Sequence, residues 1–197
     1  MNDTSLNLDR YLVPFSFRHV PLYRFDVVVV GCGVGGSAAA LASANRGASV
    51  AVLAKSDLRE SNTLYAQGGM AAVLEAPDTV EAHIADTLRV GCGLSERETV
   101  ECVVRGGAES VERLLQLGAA FDRREDGSLH LSREGGHTHP RIVHAHGDAT
   151  GLEIQRALCG ALANHPGITT FPQAFAIDLL TGPDGRVAGI LTRTSRG

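Results

Sequence analysis

The sequence has few aromatic residues and no run of basic residues, and these shortages limit the partners it can bind. Aromatic residues make up 5% of the 197 residues, and the formal net charge at pH 7 is -4. Proteins that bind nucleic acid use stacked aromatic rings and clustered positive charge. We therefore expect no nucleic-acid partner, and the negative net charge gives no attraction to an anionic membrane.

Long apolar runs and paired cysteines are also missing. No stretch is apolar over the length of a membrane span, and Asp3, Asp9 and Arg10 interrupt the start of the chain, where a signal peptide needs an apolar region. The cysteines are Cys32, Cys92, Cys102 and Cys159. They form neither a C-x-x-C pair nor a zinc-ligand spacing, which favours buried thiols in a reducing compartment. We expect a cytoplasmic protein.

The first part of the chain predicts a β-α-β unit. Residues 25–30 are apolar with a single acid, which is typical of a parallel strand buried on both faces. The alanine-rich residues 37–45 predict a helix, and Gly47 is placed to end it in the left-handed conformation. Residues 48–53 predict the second strand. The unit has the length of the nucleotide-binding version of this motif.

Two further helices are predicted from their opening residues. Asp78-x-x-Glu81 and Ser95-x-x-Glu98 both have the form of a capping box. The apolar residues after the second box recur at helical spacing, so its helix is expected to continue to Gly118.

The second half of the chain completes a mixed α/β pattern. It predicts a helix over residues 150–163, a strand over 168–171, and a hairpin of strands 174–180 and 186–192. We therefore expect an α/β, Rossmann-like fold with a central parallel sheet and an added β-hairpin. Residues 1–24 are expected to form an irregular extension and residues 25–197 a dinucleotide-binding domain.

A glycine fingerprint lies between the first strand and the first helix. Residues 31–36 read G-C-G-V-G-G and fit G-x-G-x-x-G. Gly31 permits the tight turn, Gly33 lets the backbone approach a pyrophosphate, and Gly36 lets helix and strand pack closely. The helix N-terminus then offers free N–H groups to the phosphates. The usual ribose-binding acid is missing from the end of the second strand, where Lys55 stands, and this leaves FAD and NADP both open.

Residues 60–69, ESNTLYAQGG, resolve that choice through a resemblance. Together with the fingerprint they resemble the flavoprotein family of fumarate reductases, succinate dehydrogenases and L-aspartate oxidases, in which a loop ending A-Q-G-G lies over the flavin. The similarity continues through residues 86–95, 132–141 and 144–151. Members with covalent flavin carry a histidine where this chain has Asn62, so the resemblance implies noncovalent FAD. The R-E-G-G-H-x-H stretch at residues 133–139 resembles the L-aspartate oxidases of the family.

The resemblance also implies a reaction and a set of site residues. In it, L-aspartate loses a hydride to FAD and gives iminoaspartate, oxygen or fumarate reoxidises the flavin, and quinolinate synthase acts downstream in NAD biosynthesis. Glu134 matches the glutamate that orients the substrate near its amino group. The residues that match cofactor contacts are Gly31, Cys32, Gly33, Val34, Gly35, Gly36, Lys55, Asn62, Thr63, Leu64, Tyr65, Ala66, Gln67, Gly68 and Gly69.

Several interpretations stay open at this stage. Family members are far longer, so the chain is expected to be their N-terminal, flavin-binding part, incomplete relative to the family and without oxidase turnover alone. A fumarate reductase or succinate dehydrogenase type of flavoprotein is one alternative, and a nonenzymatic nucleotide-binding remnant is another. Tyr65 either packs on flavin or fills the core, and Arg141 either contacts substrate or pairs with an acid. Five histidines between residues 121 and 148 include two H-x-H pairs, but no cysteine or regular carboxylate spacing supports a metal site.

Overall fold

A three-stranded parallel sheet lies at the centre of the fold. The computed structural model describes residues 20–194. The sheet has the order β1-β2-β6, with strands Val27–Val30, Val50–Leu53 and Ile168–Phe171. Val27 of β1 pairs with Val50 of β2, which pairs with Ile168 of β6. The predicted parallel β-α-β unit is therefore confirmed, and Gly47 adopts a φ of 88° after its helix.

The described residues contain five helices and five further strands. The helices are α1 (Val34–Ala44), α2 (Val80–Val90), α3 (Arg97–Arg105), α4 (Gly107–Gln116) and α5 (Thr150–Asn164). The other strands are β3 (Met70–Ala71), β4 (Leu131–Ser132), β5 (Ile142–Val143), β7 (Phe175–Thr181) and β8 (Val187–Arg193). Strands β7 and β8 form the predicted hairpin, and α5 lies within one residue of its predicted range. No helix in the described part of the chain is long and apolar enough to cross a membrane.

Burial of the central sheet is uneven. All four residues of β2 are buried, because the strand lies between β1 and β6 and α1 and α5 pack near it. Strand β1 lies at the edge, and its Val28 and Val30 are 42% and 57% exposed. The expectation that the first strand is buried on both faces is therefore wrong for the described residues, although its composition suits such burial.

The helix starts also differ from the predicted capping boxes. Thr79 caps α2, and its Oγ1 accepts a hydrogen bond from the N–H of Ala82. Asp78 instead uses its carboxylate to bind Arg141. The single helix expected after Ser95 is divided into α3 and α4 at Gly106, and among the described residues no side chain caps either one.

A second, smaller sheet joins distant parts of the chain. Strand β5 lies between β3 and β4, and both pairings are antiparallel. Val143 is fully buried and pairs with Met70 on one side and with Leu131 on the other. This sheet therefore places the residues that follow Ser132 and Val143 beside the loop that ends at Gly69.

Candidate functional site

The glycine turn has the geometry that its sequence predicts. Gly31 has a φ of 99°, and its N–H donates to the carbonyl oxygen of Leu53 over 2.8 Å. A Cβ built on Gly36 would overlap the carbonyl oxygen of Gly31, so the first turn of α1 packs directly on the end of β1. Helix α1 begins immediately after Gly33, which leaves the early N–H groups of the helix at this turn.

A long loop lies across the turn and contributes a side chain to it. Thr63 Oγ1 accepts a hydrogen bond from the N–H of Val34 over 3.0 Å. A Cβ on Gly33 would lie 3.2 Å from the same oxygen, a tight contact that glycine avoids. The thiol of Cys32 donates to the carbonyl oxygen of Leu58 over 2.9 Å. Burial raises the pKa of this thiol, so it acts as a protonated packing group.

Sequence reasoning missed Gln155, which holds the turn and the loop together. Its side chain is fully buried on α5, and Nε2 donates to the carbonyl oxygens of Cys32 and Leu58 over 2.9 and 3.0 Å. An amide next to the apolar residues predicted to face inward was the available signal, because a buried amide needs partners. Those partners lie about a hundred residues away in sequence, and spacing alone does not identify them.

A cleft of about 620 Å³ opens over the glycine turn. Its walls include all six fingerprint residues together with Lys55, Asn62 and Thr63. Sequence reasoning missed the contributions of β7 and of the first loop residues, which add Glu60, Ser61, Ala174, Phe175 and Ala176 to the lining. The cleft therefore combines the N-terminus of a helix, which is of the right polarity for a phosphate, with apolar groups.

The remaining predicted cofactor residues continue along the loop toward β3. They are Leu64, Tyr65, Ala66, Gln67, Gly68 and Gly69. Tyr65 is 65% exposed and its hydroxyl donates to the Glu60 carboxylate, so it does not fill the core. A Cβ on Gly69 would overlap Ile142 and lie 2.6 Å from the carbonyl oxygen of Val143. The end of the loop is thus in close contact with β5.

The start of α5 supports the same loop. The N–H of Gly151 donates to the carbonyl oxygen of Ala66 over 3.1 Å. A Cβ on Gly151 would overlap the carbonyl oxygen of Thr63 and lie 2.6 Å from that of Ala66. The helix and the loop therefore approach each other as closely as a glycine allows.

Replacing Gly151 by alanine is expected to displace residues 63–66 and to lower the free energy of unfolding by about 1–3 kcal/mol. Gly160→Ala is the matched control, because it lies on the same helix and its Cβ would meet nothing within 4 Å. That change should be neutral or stabilise by up to about 1 kcal/mol. Urea unfolding of both variants measures the difference, and equal stabilities would contradict this contact.

Glu134 lies on the loop that follows β4. Its side chain is 48% exposed, and Oε1 is 3.1 Å from Nε2 of His144. A second cleft of about 780 Å³ borders this loop and is lined by Arg89, Val90, Arg133, Glu134, Gly135, Gly136, His137 and Thr138. The predicted substrate residue therefore faces an open cleft with cationic and anionic groups in its walls.

Arg141 pairs with acids, which resolves the alternative left open by the sequence. It is fully buried and bonds both oxygens of Asp78, with Nη2–Oδ1 at 2.6 Å and Nε–Oδ2 at 2.8 Å. Its Nη1 lies 2.8 Å from Oδ2 of Asp86 and 3.2 Å from Nδ1 of His137. Because a guanidinium only donates, Nδ1 of His137 accepts and carries no proton.

Asp86 connects this network to the loop of Glu134. Its carboxylate accepts from the N–H and hydroxyl of Thr138 over 2.8 and 2.7 Å, and from Arg89 over 2.9 Å. Arg89 also donates to the carbonyl oxygen of Gly136. Burial opposes ionisation of Asp86, but the hydrogen bonds from Thr138 and Arg141 outweigh it and lower its pKa from 3.8 to about 2. The loop is therefore fixed at several points by a charged carboxylate.

Comparisons with known proteins agree with this arrangement. The family model described as FAD binding domain matches residues 26–197. L-aspartate oxidase of Arabidopsis thaliana, named chloroplastic, is 52% identical over 82% of this chain and 24% of its own length. The L-aspartate oxidase of Streptomyces coelicolor is 47% identical over 84% of this chain and 28% of its own length. The chain thus spans about a quarter of the curated relatives it matches.

A solved structure shows the same fold. Quinol fumarate reductase of E. coli superposes with a TM-score of 0.79 at 33% identity, and the match covers 86% of this chain and 29% of that one. The parallel sheet with its glycine turn is therefore an arrangement shared with a much longer protein.

Proposed function

The chain belongs to the FAD binding domain family, and from that premise we propose that it is the flavin-binding part of an L-aspartate oxidase. The proposed reaction is the FAD-dependent oxidation of L-aspartate to iminoaspartate. The observation that carries this proposal is the cleft over the glycine turn, walled by residues 60–63 of the loop that resembles the flavoprotein family.

The residues of this cleft fit FAD. A Cβ on Gly36 would fill the turn, a Cβ on Gly33 would crowd Thr63 of the loop, and the start of α1 lies against the turn. The early N–H groups of the helix and its positive dipole end suit a pyrophosphate, while Lys55 borders the same cleft. When bound, FAD supplies the hydride acceptor. We propose that it is held without a covalent bond, because Asn62 offers no nucleophile.

We propose that Glu134 binds the amino group of the substrate. An exposed carboxylate beside an open cleft attracts the ammonium group of an amino acid. Succinate has no ammonium group, so the same carboxylate does not stabilise its binding. Arg133 and Arg89 line the same cleft and are of the right charge for the two carboxylates of an amino dicarboxylate. Oxygen or fumarate is the proposed electron acceptor, quinolinate synthase the proposed downstream enzyme, and the cytoplasm the proposed location.

A fumarate reductase type of activity is the second candidate. The likeness to quinol fumarate reductase of E. coli favours it at 33% identity, while the likeness to two L-aspartate oxidases is higher at 52% and 47%. Asn62 and the R-E-G-G-H-T-H stretch also favour the oxidase. Preference of the flavin-loaded chain for L-aspartate over succinate would separate the two, and preference for succinate would contradict the oxidase.

The purified chain is expected to bind FAD that acid releases completely. Precipitation with acid should leave a colourless pellet and a yellow supernatant, in which chromatography identifies FAD. Asn62→His tests the role of the side chain at that position, with Asn45→His as a control outside the loop. A pellet that keeps its flavin in the unaltered chain would contradict noncovalent binding, and a chain that takes up NADPH in place of flavin would contradict the cofactor.

A further inference from the structure

Glu134 lies against a histidine that has no role in the proposed function so far. Nε2 of His144 is 3.1 Å from Oε1 of Glu134 and 2.9 Å from Oγ of Ser132. Nδ1 of the same ring is 3.0 Å from the carbonyl oxygen of Gly147. The His144 side chain is only 16% exposed, so the ring is held within the protein while the carboxylate of Glu134 reaches the surface.

The hydrogen-bond partners determine where this ring carries its protons. The carbonyl oxygen of Gly147 can only accept, so Nδ1 of His144 carries a proton. An ionised Glu134 also only accepts. The 3.1 Å contact is therefore a hydrogen bond only when one proton lies between Nε2 of His144 and Oε1 of Glu134. A proton held there fixes Oε1 of Glu134 and leaves Oε2 to accept from another donor.

The small sheet places this pair beside the predicted flavin loop. His144 directly follows β5, and Gly69 directly precedes β3, the strand paired with β5. A Cβ on Gly69 would lie 2.9 Å from Cε1 of His144. The imidazole therefore lies between the end of the A-Q-G-G loop and the carboxylate of Glu134.

We infer that His144 is a positioning residue that fixes Oε1 of Glu134 so that Oε2 receives the ammonium group of an α-amino dicarboxylate. The inference rests on the proposed function, since it assigns a partner to the carboxylate that the substrate meets. Without the imidazole, an exposed glutamate turns freely and loses orientation entropy on binding a ligand. The result is a preference for L-aspartate over succinate that depends on His144 as well as on Glu134.

The contact itself is tested by the imidazole ¹⁵N resonances of the full 197-residue chain. Glu134→Gln is expected to shift the Nε2 resonance of His144 while Nδ1 keeps its proton. Glu125→Gln, a change at another exposed loop glutamate, should leave both resonances where they were. An Nε2 resonance that is the same in Glu134→Gln and in the unaltered chain would overturn the inference.

The role of the contact is tested by titrating L-aspartate and succinate into the FAD-loaded chain. His144→Leu is expected to reduce the preference for L-aspartate by about tenfold, the effect of one hydrogen bond to a charged group. His144→Gln should restore part of the preference, because its amide can donate to Glu134. The inference is overturned if the ratio of the affinities for L-aspartate and succinate is the same in His144→Leu as in the unaltered chain and the flavin spectrum is unchanged. A different result is that the unaltered chain binds L-aspartate and succinate equally, or binds neither, while the ¹⁵N resonances still show the contact. That result overturns the proposed substrate role of Glu134 and with it the ligand part of this inference.

Discussion

Replacing Gly36 by alanine is expected to lower FAD affinity by about tenfold or more and the free energy of unfolding by about 1–3 kcal/mol. The added Cβ would overlap the carbonyl oxygen of Gly31 and lie 3.3 Å from Cγ1 of Val29. Both neighbours belong to the strand and the turn, so neither can move without separating α1 from β1. The phosphate-binding N–H groups would move with the helix.

Gly35→Ala is the matched control for the stability measurement, since Gly35 itself lines the cofactor cleft. Gly35 lies in the same helical turn, and a Cβ built on it meets nothing within 4 Å. It should therefore keep its stability or gain slightly from a better helix former. Quenching of flavin fluorescence gives the affinity, and urea unfolding of the flavin-free chain gives the stability. If the two alanine variants have the same unfolding free energy, the close approach of helix and strand does not limit the stability of this site.

The sequence predicts the part of the cofactor site that lies within one β-α-β unit. The fingerprint assigns the tight turn to Gly31 and the close packing to Gly36, and the structure has both. These roles depend on residues within one β-α-β unit, where spacing determines geometry. Gln155 was missed because its partners Cys32 and Leu58 lie far away in sequence.

Departures from the predicted helix starts have the same cause. Asp78 has the composition of a capping residue, but its carboxylate binds Arg141, which lies 63 residues later. Thr79 caps α2 in its place. A capping motif predicts only hydrogen bonds between residues that are close in sequence. A buried guanidinium binds whichever carboxylates tertiary packing brings to it. The exposure of Val28 in β1 likewise depends on which elements cover the sheet edge, and a strand's composition carries no such information.

Arg141→Leu is expected to give the largest loss of stability, about 3–5 kcal/mol, because it leaves buried carboxylates without a partner. Asp78 and Asp86 have side chains that are 3% and 6% exposed, so water cannot replace the guanidinium. The loop that carries Glu134 should loosen as well, because Asp86 and His137 lose a common contact. Hydrogen exchange at residues 133–138 would report that loosening.

Arg124→Leu is the control that separates burial from ion pairing. Arg124 also bonds both oxygens of a carboxylate, that of Glu75, but the two side chains are 38% and 41% exposed. Removing this ion pair should lower the free energy of unfolding by no more than about 1 kcal/mol. Urea unfolding at pH 7 compares the two variants, with Asp78→Asn as a milder change if Arg141→Leu does not fold. If Arg141→Leu and Arg124→Leu lower the free energy of unfolding by similar amounts, burial does not make the Arg141 network more important than an exposed ion pair.

Acid provides an independent test of the same network. The pKa of Asp86 is lowered from its ordinary value of 3.8 to about 2 in the folded chain. The stability that its ionised carboxylate contributes is therefore complete above pH 3.8 and is lost as the pH falls toward 2. In Arg141→Leu the carboxylate of Asp86 loses the guanidinium that lowers its pKa, so it takes up a proton more readily, and protonation removes the buried charge. The difference in unfolding free energy between the variant and the unaltered chain should therefore narrow between pH 7 and about pH 4. A difference that stays constant over this range would mean that lost packing, and not unpaired charge, causes the instability.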